Sequence, residues 1–520
     1  VKPKTVPRKI ALLVLTASLA AGGGQVHGQS APLQTKLPQL GDTAREDLSP
    51  LMERKLGEQI MHDIRRDRDF LDDAPIAEYL NNFGASLLAV LPEARGETGA
   101  DYEFFAVRDG MLNAFALPGG FIGFHSGLLI AAQSESELAS VMSHEIGHVS
   151  QRHIARQIGN QKQDALIPIA AMILAGLAAK ASPDAAMGVM MGGQGLAIQR
   201  QLDFSRDAER EADRVGFQIM NAAGLDTSGM VAFFGRLQTA SRNYSDLMPA
   251  YLRSHPLTTE RIADIQARIK EAPYRPRLDS LDFHLVRARA RVLQDPTSAG
   301  YNEARIAFES QAAQQGNQTR IAAQYGLAFL ALKQGQLDLA QSWLDKARAN
   351  AAPKDRAVFS AAPANGDGAA MFASLALDIR RAPGQPKAVL AQAIKEAEQA
   401  HNRYPLSRGI ARQYADILIE NGKLEEATRF LRDQSLLYRS EAKLHDLLAK
   451  AYAAQGKKTL QHISLAESYA LQGGLLSALD QLALARKAGD GSFHDLAVVD
   501  ARERELQERR REEVKDKDKK

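Results

Sequence analysis

The sequence predicts a mainly α chain with a small β component (α+β), arranged as helices around a short β-sheet followed by an all-helical array. Three observations carry this. From Leu48, apolar residues recur at three- and four-residue steps. A single stretch, residues 102–129, mixes aromatic and β-branched residues with Asp-Gly and Gly-Gly turns. Beyond residue 275, Ala/Leu-rich segments are punctuated by short Gly turns. At 520 residues the chain exceeds one typical domain, so two folded units plus extensions are expected. With 45% hydrophobic residues, 24% charged and a net charge of +3, nothing points to a nucleic-acid partner, which needs a concentrated basic face. The chain has no cysteine, so any metal must sit on histidines and carboxylates.

Residues 1–28 read as an export signal. Lys2, Lys4, Arg8 and Lys9 precede an apolar run from Ile10 to Ala21, and Val26 and Gly28 are small enough for a cleavage site. The competing reading, a membrane anchor, needs about 20 apolar residues, and this run breaks at Gly22-Gly23-Gly24. A lipid anchor is not expected, because no cysteine follows the run. Residues 29–46, polar and Pro-containing, read as a linker.

From Leu48 the first unit begins, spanning residues 47–275. Leu51, Leu56, Ile60, Met61 and Ile64 form one helical face, and "LDDAP" supplies an Asp cap and a Pro for a second helix through Leu91. Next, "YEFFAVRDGMLNAFALPGGFIGFHSGLL" has the composition of a short meander. Ser134 then caps a helix with Glu137 three residues on, a capping box. Residues 165–198, rich in Ala, Gly and Met, are too short in their apolar core to span a bilayer. They read as a buried or lid helix, with peripheral membrane contact as the alternative.

The second unit, residues 276–495, aligns on Gly335, Gly422, Gly456 and Gly473. Ala328, Ala340, Leu344 and Ala347 surround the first; Ala415, Ala427 and Leu431 the second; Ala466, Tyr469, Ala478, Leu482 and Ala485 the last. Small residues before and after a turn glycine let two antiparallel helices pack closely. The pattern resembles the tetratricopeptide repeat, with a generic helical bundle as the alternative. "APKDRAVFSAAPANGDGAA" reads as an insertion in the array, and residues 496–520 as a charged tail.

The chemistry concentrates in "VMSHEIGHVS". On a helix, His144 and His148 project from nearly one face, so both rings can reach one ion about 2.0–2.1 Å away. Glu145 is rotated about 100° from His144, beside the ion rather than on it, where it can take a proton from water. Two histidines make a weak site, and a catalytic zinc usually takes a third protein ligand. Downstream, "FSRDAEREADRVG" places Glu209 and Asp213 four apart. Alone it reads as a solvated amphipathic face. Paired with the first motif, Glu209 becomes the candidate third ligand and Asp213 a candidate acceptor for a ligand histidine's free N–H.

HExxH with ExxxD inside "SRDAEREAD" resembles the zinc endopeptidase family that includes the CAAX prenyl proteases and bacterial HtpX. "LGEQIMHDIRR", "NAFALPGGFIGFHSGLL" and "SHPLTTERI" extend the match. The exported form with a C-terminal tetratricopeptide region is similar to the members of that family acting in outer-membrane β-barrel assembly in the periplasm of Gram-negative bacteria. The resemblance implies a zincin-like metalloprotease domain followed by a tetratricopeptide-like superhelix. It implies one Zn2+ per chain on His144, His148 and Glu209, with Glu145 as general base and Asp213 as outer partner. His255, in the His-Pro segment, is implied either as a fourth ligand of a resting enzyme or as an oxyanion donor. "NAFAL", residues 113–117, resembles the edge strand that holds an extended substrate in such proteases.

Implied substrates are unfolded or assembling outer-membrane proteins, and the implied partner of the repeats is the outer-membrane assembly machinery. His125 and His153 read as surface or packed histidines; His62, His284, His401, His445, His462 and His494 receive no role. The alternative is a repeat-based binding or chaperone protein with a closed or vestigial zinc site. Glu145 discriminates, because a retired protease has little reason to retain a base beside three ligands.

Overall fold

The computed structural model describes residues 48–92, 101–159, 206–243, 250–273, 275–314, 316–351 and 367–518. The expected signal and linker, the run 165–198 and residues 352–366 of the insertion lie outside them.

Helix α1 (Pro50–Arg66) starts on Ser49, whose hydroxyl accepts from the Met52 N–H at 3.3 Å. Its Ile60, Met61 and Ile64 pack with Phe105, Val107, Leu117 and Phe121 of the sheet, each fully buried side chain contributing about 1.5–3 kcal/mol. Leu51, placed on the same face by its spacing, is 67% exposed and packs on nothing comparable. Helix α2 (Ala74–Val90) is capped by Asp73, which accepts from Ile76 N–H, with Pro75 in its first turn.

Strands β1 (Glu103–Val107), β2 (Ala114–Leu117) and β3 (Phe121–His125) form a sheet of order β1-β3-β2. β1 pairs parallel with β3, and β2 antiparallel. A meander would run in sequence order, so that expectation is corrected. The reason is burial: every residue of β3 is buried, which suits the central position, while β2 keeps two half-buried residues at an edge. The hairpin turns on Gly119 and Gly120, with φ of 78° and 94°, values that side chains rarely adopt.

Helices α3 (Ser126–Ala131), α4 (Glu135–Ser150) and α5 (His153–Gly159) follow, then α6 (Arg206–Ala222), α7 (Ser228–Asn243), α8 (Ala250–Ser254) and α9 (Thr259–Glu271). Ser134 caps α4 by accepting from Glu137 N–H at 3.1 Å. The Glu137 carboxylate reaches Gln133 N–H and Arg236 rather than closing the box on Ser134.

The rest is helical: α10 (Leu281–Gln294), α11 (Ser298–Ala312), α12 (Asn317–Lys333), α13 (Leu337–Ala351), α14 (Ala369–Arg381) and α15 (Lys387–Arg403). Then come α16 (Arg408–Glu420), α17 (Leu424–Leu437), α18 (Ala442–Ala454), α19 (Lys458–Leu471), α20 (Leu475–Lys487) and α21 (Phe493–Asp518). Gly335, Gly422, Gly456 and Gly473 all have positive φ, between 72° and 79°. Each ends its helix in the same way: around Gly335, Gly335 N–H donates to Leu332 O and Gln336 N–H to Ala331 O, the Schellman pattern. Ala340, Leu344, Ala347, Ala427, Leu431, Ala466, Ala478, Leu482 and Ala485 are fully buried between the paired helices, whereas Tyr469 is 36% exposed.

Packing is informative at both ends of the expected repeat unit. Helix α10, at the start of the expected repeat unit, packs against α2 and α3 as well as α12, and its buried Arg289 donates to both Asp73 oxygens at 2.7 Å. At the other end helix α21 runs on through 496. Val499 and Leu506 of α21 are fully buried, packed with Ala478, Leu482 and Ala485 of α20.

Candidate metal centre

Helix α4 is buried on nearly every side, and it can be so because α6 lies against it without side chains between. A β-carbon on Gly216 of α6 would stand 3.1 Å from the His144 backbone nitrogen. That approach delivers Glu209 and Asp213 to the histidines of α4. His144, Glu145, His148, Glu209, Asp213 and His255 are each at most 3% exposed, so this is a sealed polar centre.

Four donors converge in it: His144, His148, Glu209 and His255 offer ligand atoms all within 4.8 Å of one another. His144 Nε2 lies 3.0 Å from His148 Nε2, 3.4 Å from Glu209 Oε2 and 3.4 Å from His255 Nδ1. Glu209 Oε1 lies 3.5 Å from His148 Nε2 and 3.0 Å from His255 Nδ1. Ligands about 2.0–2.1 Å from one tetrahedral ion stand about 3.4 Å apart, so the spacing suits a single cation.

The outer contacts agree. His144 Nδ1 lies 2.9 Å from Asp213 Oδ1; an N–H donated there leaves Nε2 as the nitrogen that faces the other donors. His148 Nε2, 3.0 Å away, aims at the same point, and with Glu209 and His255 Nδ1 beside them the two rings would hold a cation there by four donors. The residues therefore fit a metal ion.

Electrostatics prepare the donors. Burial would raise Glu209, but the imidazoles of His255, His144 and His148 around it outweigh that and hold its carboxyl well below the usual range. Burial likewise opposes ionisation of Asp213, yet the Arg261 fork and His144 keep it low. Burial pushes His148 well below its usual value, leaving its ring neutral. It also pushes His144 down, but hydrogen bonds to Asp213 and Glu209 lift that ring to about 9 with no ion present, so an ion entering the site must displace the proton on Nε2. Glu145 moves the other way: burial raises it, with His255 and His144 pulling back. The Tyr251 hydroxyl also pulls it down, and His255 Nε2 stands 3.6 Å from Oε1.

Four residues went unmarked at the sequence level. Arg261 donates to Asp213 at 2.6 and 2.8 Å, to the Pro256 carbonyl at 2.8 Å, and pairs with Glu209 at 2.8 Å. Tyr251 stacks on His255, ring centroids 4.5 Å apart, and its N–H donates to Leu112 O beside β2. His153 is packed, as read, but against His148, Nδ1 to Nδ1 at 2.8 Å, with Glu211 Oε2 3.0 Å from its Nε2. Arg152, before it, has φ of 52°, strain of about 1–3 kcal/mol. The signal for Glu211 was available in "AEREAD", where a third acid sits between Glu209 and Asp213. His125 is buried away from the donors, 3.6 Å from Asp109.

Comparisons with known proteins now bear on this centre. Residues 84–269 match the family described as "Peptidase family M48". The chain is 30% identical over 501 residues to the "Beta-barrel assembly-enhancing protease" of Escherichia coli (strain K12), covering 96% of this chain and 97% of that one. It is 29% identical over 470 residues to the protein of that name from Yersinia pestis, covering 90% and 91%. To the "Mitochondrial metalloendopeptidase OMA1" of Schizosaccharomyces pombe it is 26% identical over 272 residues, covering 51% and 74%.

Proposed function

We propose that this chain, which belongs to peptidase family M48 and is a metalloendopeptidase, holds one Zn2+ on His144, His148 and Glu209 and hydrolyses peptide bonds with Glu145 as general base. The observation carrying this reading is the convergence of the donor atoms of His144, His148, Glu209 and His255. When bound, zinc supplies Lewis acidity, which makes water nucleophilic near neutral pH and polarises a carbonyl. The His and carboxylate donor set without thiolates supports zinc at a catalytic site.

The chain's own residues do the rest. Glu145, with a carboxyl raised by burial, takes a proton from water and passes it to the leaving amine. Asp213 keeps His144 in the tautomer that presents Nε2. β2 leaves one edge unpaired with any strand among the described residues, suited to holding an extended peptide by main-chain hydrogen bonds. His255 Nδ1 lies among the donors, so His255 acts as a fourth ligand of a closed form. A catalytic zinc keeps one position open, so turnover requires α8 and His255 to withdraw.

The relatives' name gives their process, and we extend it here: substrates are unfolded or assembling outer-membrane proteins, and the site of action is the periplasm after export by residues 1–28. Residues 47–275 form the protease unit and the tetratricopeptide-like residues 276–495 dock the outer-membrane assembly machinery. Among the described residues no helix is long and apolar enough to cross a membrane. The sealing of the centre favours one second reading, a repeat-based chaperone with a closed zinc site.

One comparison separates them: zinc content and cleavage of an unfolded outer-membrane protein by wild type, Glu145→Gln and His255→Ala. Glu145→Gln is expected to keep zinc and lose cleavage about 10²–10⁴-fold, and His255→Ala to cleave faster than wild type. Equal cleavage by Glu145→Gln sinks the enzyme reading.

A further inference from the structure

The two histidines of α4 end in different outer partners. His144 meets a carboxylate directly, Asp213 at 2.9 Å. His148 meets a third imidazole, His153, at 2.8 Å, which in turn meets Glu211 at 3.0 Å. Arg156 donates to the same Glu211 oxygen at 2.5 Å. We propose that His153, anchored by Glu211, is the positioning residue that holds His148 as an Nε2 metal ligand; this rests on His148 being a ligand, as proposed above.

Proton bookkeeping supports it. Arg156 can only donate, so the Glu211 Oε2 that it reaches is an acceptor. His153 therefore donates from Nε2, and its Nδ1 is left as an acceptor. The His148 proton then sits on Nδ1, donated to His153, and His148 Nε2 is left bare toward the other donors. The chain of hydrogen bonds is satisfied in this one direction.

Geometry explains why an imidazole intervenes. Glu211 is two residues from Glu209 on α6, about 160° around the helix, so it faces away from the donor cluster and needs a bridge to His148. The bridge is placed by Arg152. Its left-handed backbone reverses the chain between α4 and α5, and its buried guanidinium is tied to Glu53 Oε2 at 2.9 Å and to the Leu48 carbonyl. The strained turn thus brings the first residue of α5 back over the last turn of α4.

The test measures zinc affinity of the full chain by competition with a chromogenic chelator, alongside thermal unfolding of the metal-free protein. His153→Phe, which fills the space without an acceptor, is expected to bind zinc about 10–100-fold more weakly. His153→Asn, whose amide oxygen replaces Nδ1 as acceptor, recovers most of that loss, and Glu211→Gln falls between. In ¹⁵N-histidine spectra of the zinc-loaded protein, His148 is expected as the Nδ1–H tautomer in wild type and His153→Asn. Wild-type affinity in His153→Phe overturns the proposal, as does equal weakening by Phe and Asn in step with the unfolding temperature. Should Glu211→Gln alone fold well, its unchanged affinity counts against the proposal equally. His148→Ala is the control: if it too binds zinc normally, the ligand assignment fails and not this inference alone.

Discussion

Gly147 of α4 and Ala212 of α6 meet backbone to backbone: a β-carbon added at Gly147 would lie 2.9 Å from the Ala212 carbonyl oxygen and 3.0 Å from its Cα. This contact sets the helix separation on which the donor cluster depends. Alanine is favoured over glycine inside a helix by about 1 kcal/mol, but overpacking against rigid backbone costs about 1–3 kcal/mol. Gly147→Ala is therefore expected to lower the unfolding temperature and weaken zinc binding. A more stable variant with full zinc occupancy would show that the helices are not held by this contact.

Arg261 ties Asp213, Glu209 and the Pro256 carbonyl together through one planar fork. Lysine keeps the charge and loses the fork. Arg261→Lys is expected to fold yet bind zinc about 10–100-fold more weakly, read by chelator competition; unchanged affinity would reduce Arg261 to a packing role.

The carboxyl of Asp282 is pushed up to about 7, mainly by burial, with Gly368 N–H opposing and the Asp367 and Glu135 carboxylates adding to the rise. Its unfolded value is about 3.9. A raised acid favours the folded state only while protonated, so stability falls as pH rises from about 4 through about 7, by about 3–4 kcal/mol in all. Asn keeps an acceptor for Gly368 and forfeits about 0.3–1 kcal/mol of helix-dipole interaction, the smaller effect. Asp282→Asn should thus stabilise the protein at pH 8 and change little at pH 4 in denaturant titrations. Equal effects at both pH values would rule out this linkage.

Glu78 of α2 accepts from Ser407 Oγ at 2.9 Å and Gly409 N–H at 2.5 Å, at the start of α16. Burial raises its carboxyl, and those two hydrogen bonds pull it back. Glu78→Ala leaves the Gly409 N–H unpaired, a cost of about 1–3 kcal/mol. Hydrogen exchange at Gly409 is expected to speed up at least tenfold in the variant, while exchange inside α4 stays as it was. Protection unchanged at Gly409 would show that another group holds this junction.

Much of this was legible in local order. The caps Asp73 and Ser134, the glycines 335, 422, 456 and 473, and the i, i+4 spacings of His144/His148 and Glu209/Asp213 each obey a rule that operates within a few residues. The misreadings share a different cause. Strand order and the exposure of Leu51 depend on what lies opposite, and no window of sequence contains the opposite side.

Covalent neighbours and helical pitch alone dictated that two imidazoles and a glutamate would share one turn of α4, because side-chain direction repeats every 3.6 residues. Packing alone chose which distant groups would meet them. Glycine contacts let α6 bring in Glu209 and Asp213, Arg261 locked them, and a left-handed arginine swung His153 onto His148. Those choices are long-range: they rest on excluded volume and buried charge, which exist only once the chain has closed on itself.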